Sequence, residues 1–337
     1  MSKKRVTITD VAKLAGVSVS TVSIVINNKD KFVNAALRTR VQEAIDTLNY
    51  HPNLVARSLK IEETKTLGLI FPNITSPVMP PLVRTVQKIA QESDFDTFIV
   101  ITEEDPRQEK IAVQSLISKR IDGLIICPII SDDNEHLRYA NSLIPVVSIE
   151  RRVPGIDCVV TNNKEISYEA VAHLIEHGYK RIGLISMPVF GSNTKERIEG
   201  YNQALMDHGL FNPTYIRETD FVGHSSFEAA KNLLITYQVE AIFTISQSIA
   251  LGAFKAIDSL GLKIPNDVAI FGYDDVPWME VVKPALSTIK QPTTEIASKA
   301  CEILFNKMDQ EENERSEIFI LDSQLIIRQS CGCKSIQ

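Results

Sequence analysis

The chain has 337 residues, 44% hydrophobic and 23% charged, which is typical of a folded protein with room for more than one domain. It contains no run of about 18 apolar residues that could span a bilayer and no apolar signal segment near its start, so we expect a cytoplasmic protein. Its five cysteines, an odd number, argue against a secreted disulfide framework and are expected to be reduced.

Charge is divided unevenly along the chain. Residues 1–60 contain ten Lys and Arg against four Asp and Glu, a net charge of +6, whereas the remainder contains 26 basic and 38 acidic residues, a net charge of −12. Because polyanions are attracted to basic surfaces, we expect nucleic acid to bind the amino-terminal segment and not the acidic body.

The amino-terminal segment reads as three short helices. Thr7 and Asp10 have the spacing of a capping box, and Gly16 supplies the residue type that ends a helix in a left-handed conformation. Ser18 is then placed to cap a second helix that runs through residue 27, and a third helix is predicted over 35–49. Since only a few residues separate the first two helices, they must cross at a large angle, as in a helix-turn-helix.

The next ten residues, 51–60, are compatible with a helix that is too short to be stable alone, so we expect them to order against a partner. Beyond residue 64, short apolar strands alternate with amphipathic helices, which predicts parallel sheets covered on both faces. The number of elements favours two doubly wound halves with a cleft at the carboxyl ends of the strands. The predicted strands cover residues 66–71, 96–102, 122–127, 145–149, 181–186, 241–246 and 268–273.

Several motifs closely resemble those of the LacI/GalR family of bacterial regulators. They are TDVAKLAGVSVSTVS at 9–23, NYHPNLVARSL at 49–59, TLGLIFPNI at 66–74, RIDGLI at 120–125, HGYKRIG at 177–183 and VAIFGYDD at 268–275. The resemblance implies an all-α helix-turn-helix headpiece followed by an α/β core. That core is expected to have two doubly wound parallel-sheet subdomains, as in periplasmic sugar-binding proteins.

The same resemblance implies a domain plan and an assembly. The headpiece would span residues 1–50, a hinge helix and linker 51–64, and the effector-binding and dimerisation core 65–337. Within the core we expect one subdomain at about 65–161 and 292–323 and the other at about 162–291 and 324–331. Since few residues follow the last core segment, we favour a homodimer over a tetramer.

The family pattern assigns DNA contacts to the second helix and the hinge. Val19 and Ser20 correspond to positions that reach base edges in the major groove, and Leu59 corresponds to a leucine wedge in the minor groove. Ile24 stands where relatives often carry Arg, so we expect an altered half-site, with Ile24 either touching a thymine methyl or only packing. Simple solvated helix positions, and a linker leucine covered by the core, are the alternative interpretations. The full candidate set is Val19, Ser20, Thr21, Ser23, Ile24, Asn27, Asn53, Ala56, Leu59 and Lys60.

The resemblance also places an effector between the two core subdomains. Arg197 and Asp274 match family positions that bind ligands, and Phe221 is placed to stack on a flat ligand face. The candidate set is Ser76, Asn162, Asn193, Arg197, Phe221, Gln247 and Asp274, with loop capping or subdomain packing as the alternative for each. We expect a repressor controlled by a sugar or sugar derivative. Departures from the family pattern, including Gln247 in place of a carboxylate, leave a nucleobase or a protein corepressor as alternatives.

Two short patterns could indicate a metal site. His173 and His177 have the H-x-x-E-H spacing of some zinc peptidases, but a helix end capped by glycine explains them as well. Cys331 and Cys333 form a C-x-C pair without two further ligands at a recognisable spacing. We therefore expect no enzyme activity, no metal and no cofactor. A solute-binding protein is the alternative from another class, and the basic headpiece argues against it.

Overall fold

The structure, a computed structural model, describes residues 6–26, 34–50, 63–129, 134–189, 191–220, 225–309 and 316–333. The chain divides into two compact units, Met1–Thr64 and Lys65–Gln337. The first unit contains the headpiece, residues 1–50, and we refer to the second unit as the core.

The described part of the headpiece contains three helices: α1 (Ile8–Ala15), α2 (Val19–Ile26) and α3 (Ala35–Leu48). The predicted capping box is present, since the Thr7 amide donates to Asp10 at 2.8 Å and the Asp10 amide donates to the Thr7 hydroxyl at 3.4 Å. Gly16 ends α1 in the left-handed conformation, with φ +64°. The bend from α1 to α2 is 103°, which confirms the predicted large crossing angle.

A small apolar core holds these helices together. Val41 and Ala44 are buried on the predicted stripe of α3, and the partly buried Ile45 and Leu48 pack against them. The buried members of this core are Val11, Ala12, Ala15, Val22, Val25, Val41, Ala44 and Tyr50. With so few buried side chains, each one carries a large share of the apolar burial that stabilises the headpiece.

The strands of the core unit build two six-stranded sheets. They are β1 (Thr66–Phe71), β2 (Asp96–Ile101), β3 (Gly123–Ile126), β4 (Val146–Ile149), β5 (Asp157–Thr161), β6 (Ile182–Ser186), β7 (Ile216–Glu218), β8 (Ala241–Thr244), β9 (Ala269–Tyr273), β10 (Ser287–Lys290), β11 (Ile318–Leu321) and β12 (Gln324–Ile326). The orders are β11-β5-β4-β3-β1-β2 and β12-β10-β9-β8-β6-β7. Pairing is parallel except between β10 and β12. These two sheets confirm the predicted fold class.

Helices cover both sheets. In chain order they are α4 (Met79–Glu92), α5 (Pro106–Ser118), α6 (Glu135–Asn141), α7 (Asn163–Glu176), α8 (Ser192–Asp207), α9 (Ser226–Ile235), α10 (Gln247–Ser259), α11 (Trp278–Val281) and α12 (Thr293–Asp309). In the first sheet, α4 and α12 pack on one face and α5 and α6 on the other. Because α12 follows β10 but covers the first sheet, and β11 and β12 belong to different sheets, the chain passes between the subdomains three times.

The predicted strands are all present: β1 has its predicted ends, and the other six are one or two residues shorter. Five observed strands were not predicted. Strand β8, for instance, ends at Thr244 because Ser246 caps α10 by accepting from the Ile249 amide. The strands that the sequence did not indicate are β5, β7, β10, β11 and β12. They are short, and most carry polar residues or lie at a sheet edge, so their apolar pattern is weak.

Within the described ranges, no single helix is long and apolar enough to cross a membrane. Helices α1 and α2 meet the length and composition test only when taken together, and they are bent sharply against each other.

Candidate functional site

The exposed start of α2 is the candidate DNA-reading surface of the headpiece. Val19 is 42% exposed and Ser20 is exposed, whereas Val22 and Val25 point into the headpiece core. The helical period thus divides α2 into a buried apolar face and a face that presents Val19 and Ser20. This exposure agrees with the role in DNA reading that stays predicted for these two residues.

A cluster of hydroxyl groups organises the start of α2. The Ser18 hydroxyl accepts from the Thr21 amide at 3.1 Å, and its oxygen lies 2.7 Å from that of Ser20 and 2.8 Å from that of Thr21. Ser18 therefore caps the helix as predicted. Because each hydroxyl has one donor and two acceptor positions, Ser20 and Thr21 keep capacity to bind phosphate or base edges.

The remaining DNA candidates divide into two groups. Ser23 and Ile24 are half-buried on the sides of α2, a position compatible with both interpretations of Ile24. Asn27, Asn53, Ala56, Leu59 and Lys60 lie outside the described residues. Their assignment stays a prediction.

The candidate effector site is a cavity of about 360 Å³ between the two sheets of the core. Residues from the segments that follow β1, β2, β3 and β4 line one side, and residues that follow β6, β8, β9 and β10 line the other. Parallel strands place their carboxyl ends at one edge of each sheet, which is where ligands bind in doubly wound folds. The cleft thus lies where the strand pattern predicted it.

Five of the predicted effector residues line this cavity: Ser76, Asn193, Arg197, Gln247 and Asp274. Asn162 lies instead at a chain crossing, where its amide donates to Asp322 at 3.2 Å and its oxygen accepts from the Ser323 amide at 2.8 Å. Phe221 lies outside the described residues.

Arg197 lines the cavity, and three contacts hold its guanidinium in place. Its Nε donates to Asn163 Oδ1 at 2.8 Å and its Nη1 to the Ile245 carbonyl at 2.9 Å, and its guanidinium lies 3.7 Å from the ring centre of Tyr273. Its Nη2 has no hydrogen-bond partner in the described part of the chain, although it lies 3.9 Å from a Glu150 carboxylate oxygen. The long contact with Glu150 therefore leaves the hydrogen-bonding capacity of this nitrogen unsatisfied within the described residues.

The close packing of two helices sets the position of this arginine. Helix α8, which carries Arg197, packs against α7 at Gly200, where a Cβ would collide with the Lys164 carbonyl oxygen. Glycine at this position lets the helices approach until Asn163, at the start of α7, reaches the guanidinium.

Two buried carboxylates face Arg197 from opposite sheets. Glu150 follows β4 and Asp274 follows β9, and both have left-handed backbone, with φ +63° and +66°. Such conformations are uncommon for residues other than glycine and cluster at binding sites. Burial raises the pKa of both carboxyls, and the nearby positive charge of Arg197 only partly offsets this rise. Gln291 fixes Asp274 by donating to it at 2.7 Å.

A second ion pair lies at the same cavity and was not predicted from the sequence. Arg151 contacts Glu104 at 3.3 Å, and its Nη1 also donates to the Pro128 carbonyl at 3.1 Å. Their position in the sequence could have indicated them, because Glu150 and Arg151 directly follow the predicted strand at 145–149. The cavity is therefore charged on both walls and suits a ligand with several hydrogen-bonding groups.

Two family models together match most of the chain. The model described as "Periplasmic binding proteins and sugar binding domain of LacI family" matches residues 64–328, and that described as "Bacterial regulatory proteins, lacI family" matches residues 7–53.

Whole-length relatives agree with these matches. The chain is 35% identical over 331 residues to "HTH-type transcriptional repressor PurR" of Aliivibrio salmonicida (strain LFI1238), covering 96% of this chain and 98% of the relative. It is 36% identical over 330 residues to the protein of the same name in Actinobacillus pleuropneumoniae serotype 3 (strain JL03), with the same coverage. These relatives are transcriptional repressors, which confirms the prediction that the chain is not an enzyme.

Solved structures extend the likeness to three dimensions. The lac repressor dimer bound to operator and the anti-inducer ONPF is 25% identical with a TM-score of 0.86, covering 97% of this chain and 99% of that one. The transcriptional regulator CelR in complex with cellobiose is 28% identical with a TM-score of 0.73, covering 97% of this chain and 100% of that one. The helix-turn-helix, the paired parallel sheets and these matches agree, and the chain belongs to the LacI family of bacterial DNA-binding transcriptional regulators.

Proposed function

We propose that this protein is a homodimeric repressor that binds a pseudo-palindromic operator and whose affinity for it is set by a purine base in the core cleft. The ligand acts by favouring one arrangement of the two core subdomains, because a ligand can shift an equilibrium only as far as its affinities for the two states differ. Operator binding belongs to the headpiece, in line with its basic charge.

The arrangement of Arg197 between Glu150 and Asp274 carries the ligand part of this proposal. Arg197 offers a free donor nitrogen, and the two carboxylates offer acceptors in a buried setting. A ligand that fits must present an acceptor to the arginine and N–H or O–H donors to the acids. A purine base presents ring nitrogens and N–H groups on one rigid plane, and the relatives named PurR point to the same class.

A sugar or sugar derivative is the second candidate, and one observation favours it. Among the described residues that line the cavity, none is aromatic, and its apolar contacts come from Val78, Met79, Met187 and prolines. Hydroxyl groups satisfy carboxylates without a stacking partner, and the similar CelR structure holds cellobiose. The original expectation of a sugar thus remains as the alternative to a purine.

Thermal unfolding with purine bases, purine nucleosides, hexoses and cellobiose separates the two candidates. A ligand at about one hundred times its Kd stabilises the protein by roughly 2.7 kcal/mol. We expect a purine base to raise the Tm, Arg197→Ala to abolish the rise, and Arg107→Ala, at a side chain 89% exposed on the other subdomain, to preserve it. A rise with sugars alone contradicts the purine assignment. A rise that persists in Arg197→Ala contradicts the assigned site.

Operator binding by fluorescence anisotropy tests the coupling. We expect the identified ligand to change the affinity of the wild-type protein for its operator and to leave that of Arg197→Ala unchanged. Equal operator affinity with and without bound ligand would show that the cleft does not control DNA binding.

The hinge is proposed from the sequence alone, because residues 51–62 lie outside the described ranges. Leu59→Ala should weaken operator binding while sparing salt-sensitive binding to random DNA, since a minor-groove wedge adds contacts only at a bent site. Equal losses of affinity for operator and random DNA would contradict the proposed role of Leu59 as a minor-groove wedge.

A further inference from the structure

Two distant segments of the core bring four metal-binding side chains together. His173 and His177 lie one turn apart on α7, and Cys331 and Cys333 lie near the carboxyl terminus. One ligand atom from each, the histidine nitrogens and the cysteine sulfurs, lies within 4.8 Å of all the others. The sequence offers no further ligands for the C-x-C pair at a recognisable spacing, and the fold places the two histidines beside it.

The separations match those of tetrahedral zinc. The distance from His173 Nε2 to Cys331 Sγ is 3.3 Å, from His177 Nε2 to Cys333 Sγ 3.0 Å, and from His173 Nε2 to Cys333 Sγ 3.6 Å. With Zn–S bonds of about 2.3 Å and Zn–N bonds of about 2.0–2.1 Å, a tetrahedron requires nitrogen and sulfur ligands to lie about 3.6 Å apart. Small side-chain shifts around one ion would therefore complete the site.

The backbone between the two cysteines is shaped to present both sulfurs. Gly332 has φ +101°, a conformation that residues with a side chain rarely adopt. A Cβ there would also lie 2.9 Å from the Tyr179 hydroxyl. The positive φ therefore favours glycine between the two cysteines.

Neighbouring side chains orient two of the ligands. The Ser287 hydroxyl donates to Cys331 Sγ at 3.1 Å, and the Phe271 ring meets the His173 ring edge-on at 6.0 Å between centroids. Cys331 itself is fully buried. Such supporting contacts around the ligands are typical of metal sites.

We propose that His173, His177, Cys331 and Cys333 bind one Zn²⁺ ion in a closed, structural site. Two thiolates and two imidazoles in a tetrahedral arrangement select zinc, and four protein ligands leave no open position for catalysis. The ion ties the chain end beyond β12 to α7 and thereby stabilises the second subdomain. This site is separate from the effector cleft, so either proposal can fail without the other.

The metal content of the untagged, full-length protein tests the site directly. Purified from zinc-supplemented medium under reducing conditions, the wild-type protein should contain one zinc per chain by elemental mass spectrometry. His177→Asn and Cys333→Ser should lose it, whereas Cys158→Ser, a cysteine in β5 outside the cluster, should keep it. Because His177 is exposed, His177→Asn should remain folded, which circular dichroism checks.

Cobalt substitution gives a second readout that does not depend on stability. Co²⁺ added to the metal-free protein should produce thiolate-to-metal charge transfer and the intense visible bands of tetrahedral cobalt, and His177→Asn should abolish or alter both. A zinc chelator should lower the Tm of the wild-type protein and leave that of His177→Asn unchanged. Failure to take up either metal, or a Cys331–Cys333 disulfide in the natively purified protein, would overturn the proposal.

Discussion

The headpiece and the effector cleft differ in how far along the chain their defining contacts reach. In the headpiece, the caps join residues three apart, as in Thr7 with Asp10 and Asn34 with Leu37. In the cleft, Arg197 contacts residues 34 and 48 positions away. Local contacts leave a signature in a short window of sequence, whereas the cleft exists only after two sheets have folded.

The two regions also differ in what stabilises them. The headpiece depends on a few buried apolar side chains and on its caps. The cleft buries Arg197, Glu150 and Asp274 beside a cavity, an arrangement that serves binding more than stability. Mutations in the headpiece should therefore affect operator binding and the stability of the headpiece, whereas mutations in the cleft should affect ligand binding.

The largest effect is expected from a charge in the headpiece core. Val41→Asp buries an uncompensated carboxylate, a change that costs about 3–5 kcal/mol, and should unfold the headpiece and abolish operator binding. Gln42→Asp, which places the same charge on the exposed face of α3, should preserve both. Calorimetry should find the unfolding transition of the core unchanged, and a lowered core transition would mean that the units are not independent.

A smaller effect is expected in the cleft. Asp274→Asn keeps a residue type that tolerates left-handed backbone but removes the negative acceptor, so ligand affinity should fall by about 1.5–3 kcal/mol, or roughly 10- to 150-fold. Asp275→Asn is the matched control, because Asp275 pairs with Arg328 at 2.8 Å. Isothermal titration measures both, and an equal loss in the control would point to a stability effect instead of a ligand contact.

Removing a helix cap should lower the stability of the headpiece by a smaller amount. Thr7→Ala deletes one half of the capping box and should destabilise the headpiece by about 1 kcal/mol. Thr39→Ala, where the hydroxyl donates to the Ala35 carbonyl inside α3, should be close to neutral. Denaturant unfolding measures the free energy of unfolding of the headpiece in both variants. Equal decreases would show that the Thr7 cap does not stabilise the headpiece.

The smallest effect is expected in the pH dependence of the ligand-free core. A carboxyl whose pKa is raised in the folded state contributes most below its unfolded pKa, and that contribution is lost as pH rises through the raised value. Burial raises the pKa of Glu150, so Glu150→Gln should lose less stability than the wild-type protein as the pH rises above the ordinary Glu value of about 4.3. Unfolding free energies measured across this pH range test the prediction, and overlapping curves for the wild-type protein and Glu150→Gln contradict it.

Much of the fold was predictable from local patterns. Strands such as β1 and β3 are continuous apolar runs, and Leu67, Leu69 and Phe71 pack on one face of the sheet while Ile70 packs on the other. The missed strands lack this signal: β10 is Ser-Thr-Ile-Lys, and β11 alternates between exposed and half-buried residues at a sheet edge. Their pairing is decided by the strands beside them.

The cleft was predictable in part, because family motifs and the strand ends pointed to Arg197 and Asp274. Glu104 and Arg151 were missed because their partnership joins two loops that are 47 residues apart. Asn162 illustrates the opposite case, since the family resemblance made it an effector candidate and the structure places its amide at a chain crossing.

The sequence by itself determined the helix-turn-helix, the alternation of strands and helices and the charge division, because caps, periodicity and composition act over short stretches of chain. Only the tertiary structure decided which charges meet in the cleft and that His173 and His177 lie beside Cys331 and Cys333. Those meetings depend on strand order and on the three crossings between subdomains, which no local window of sequence records.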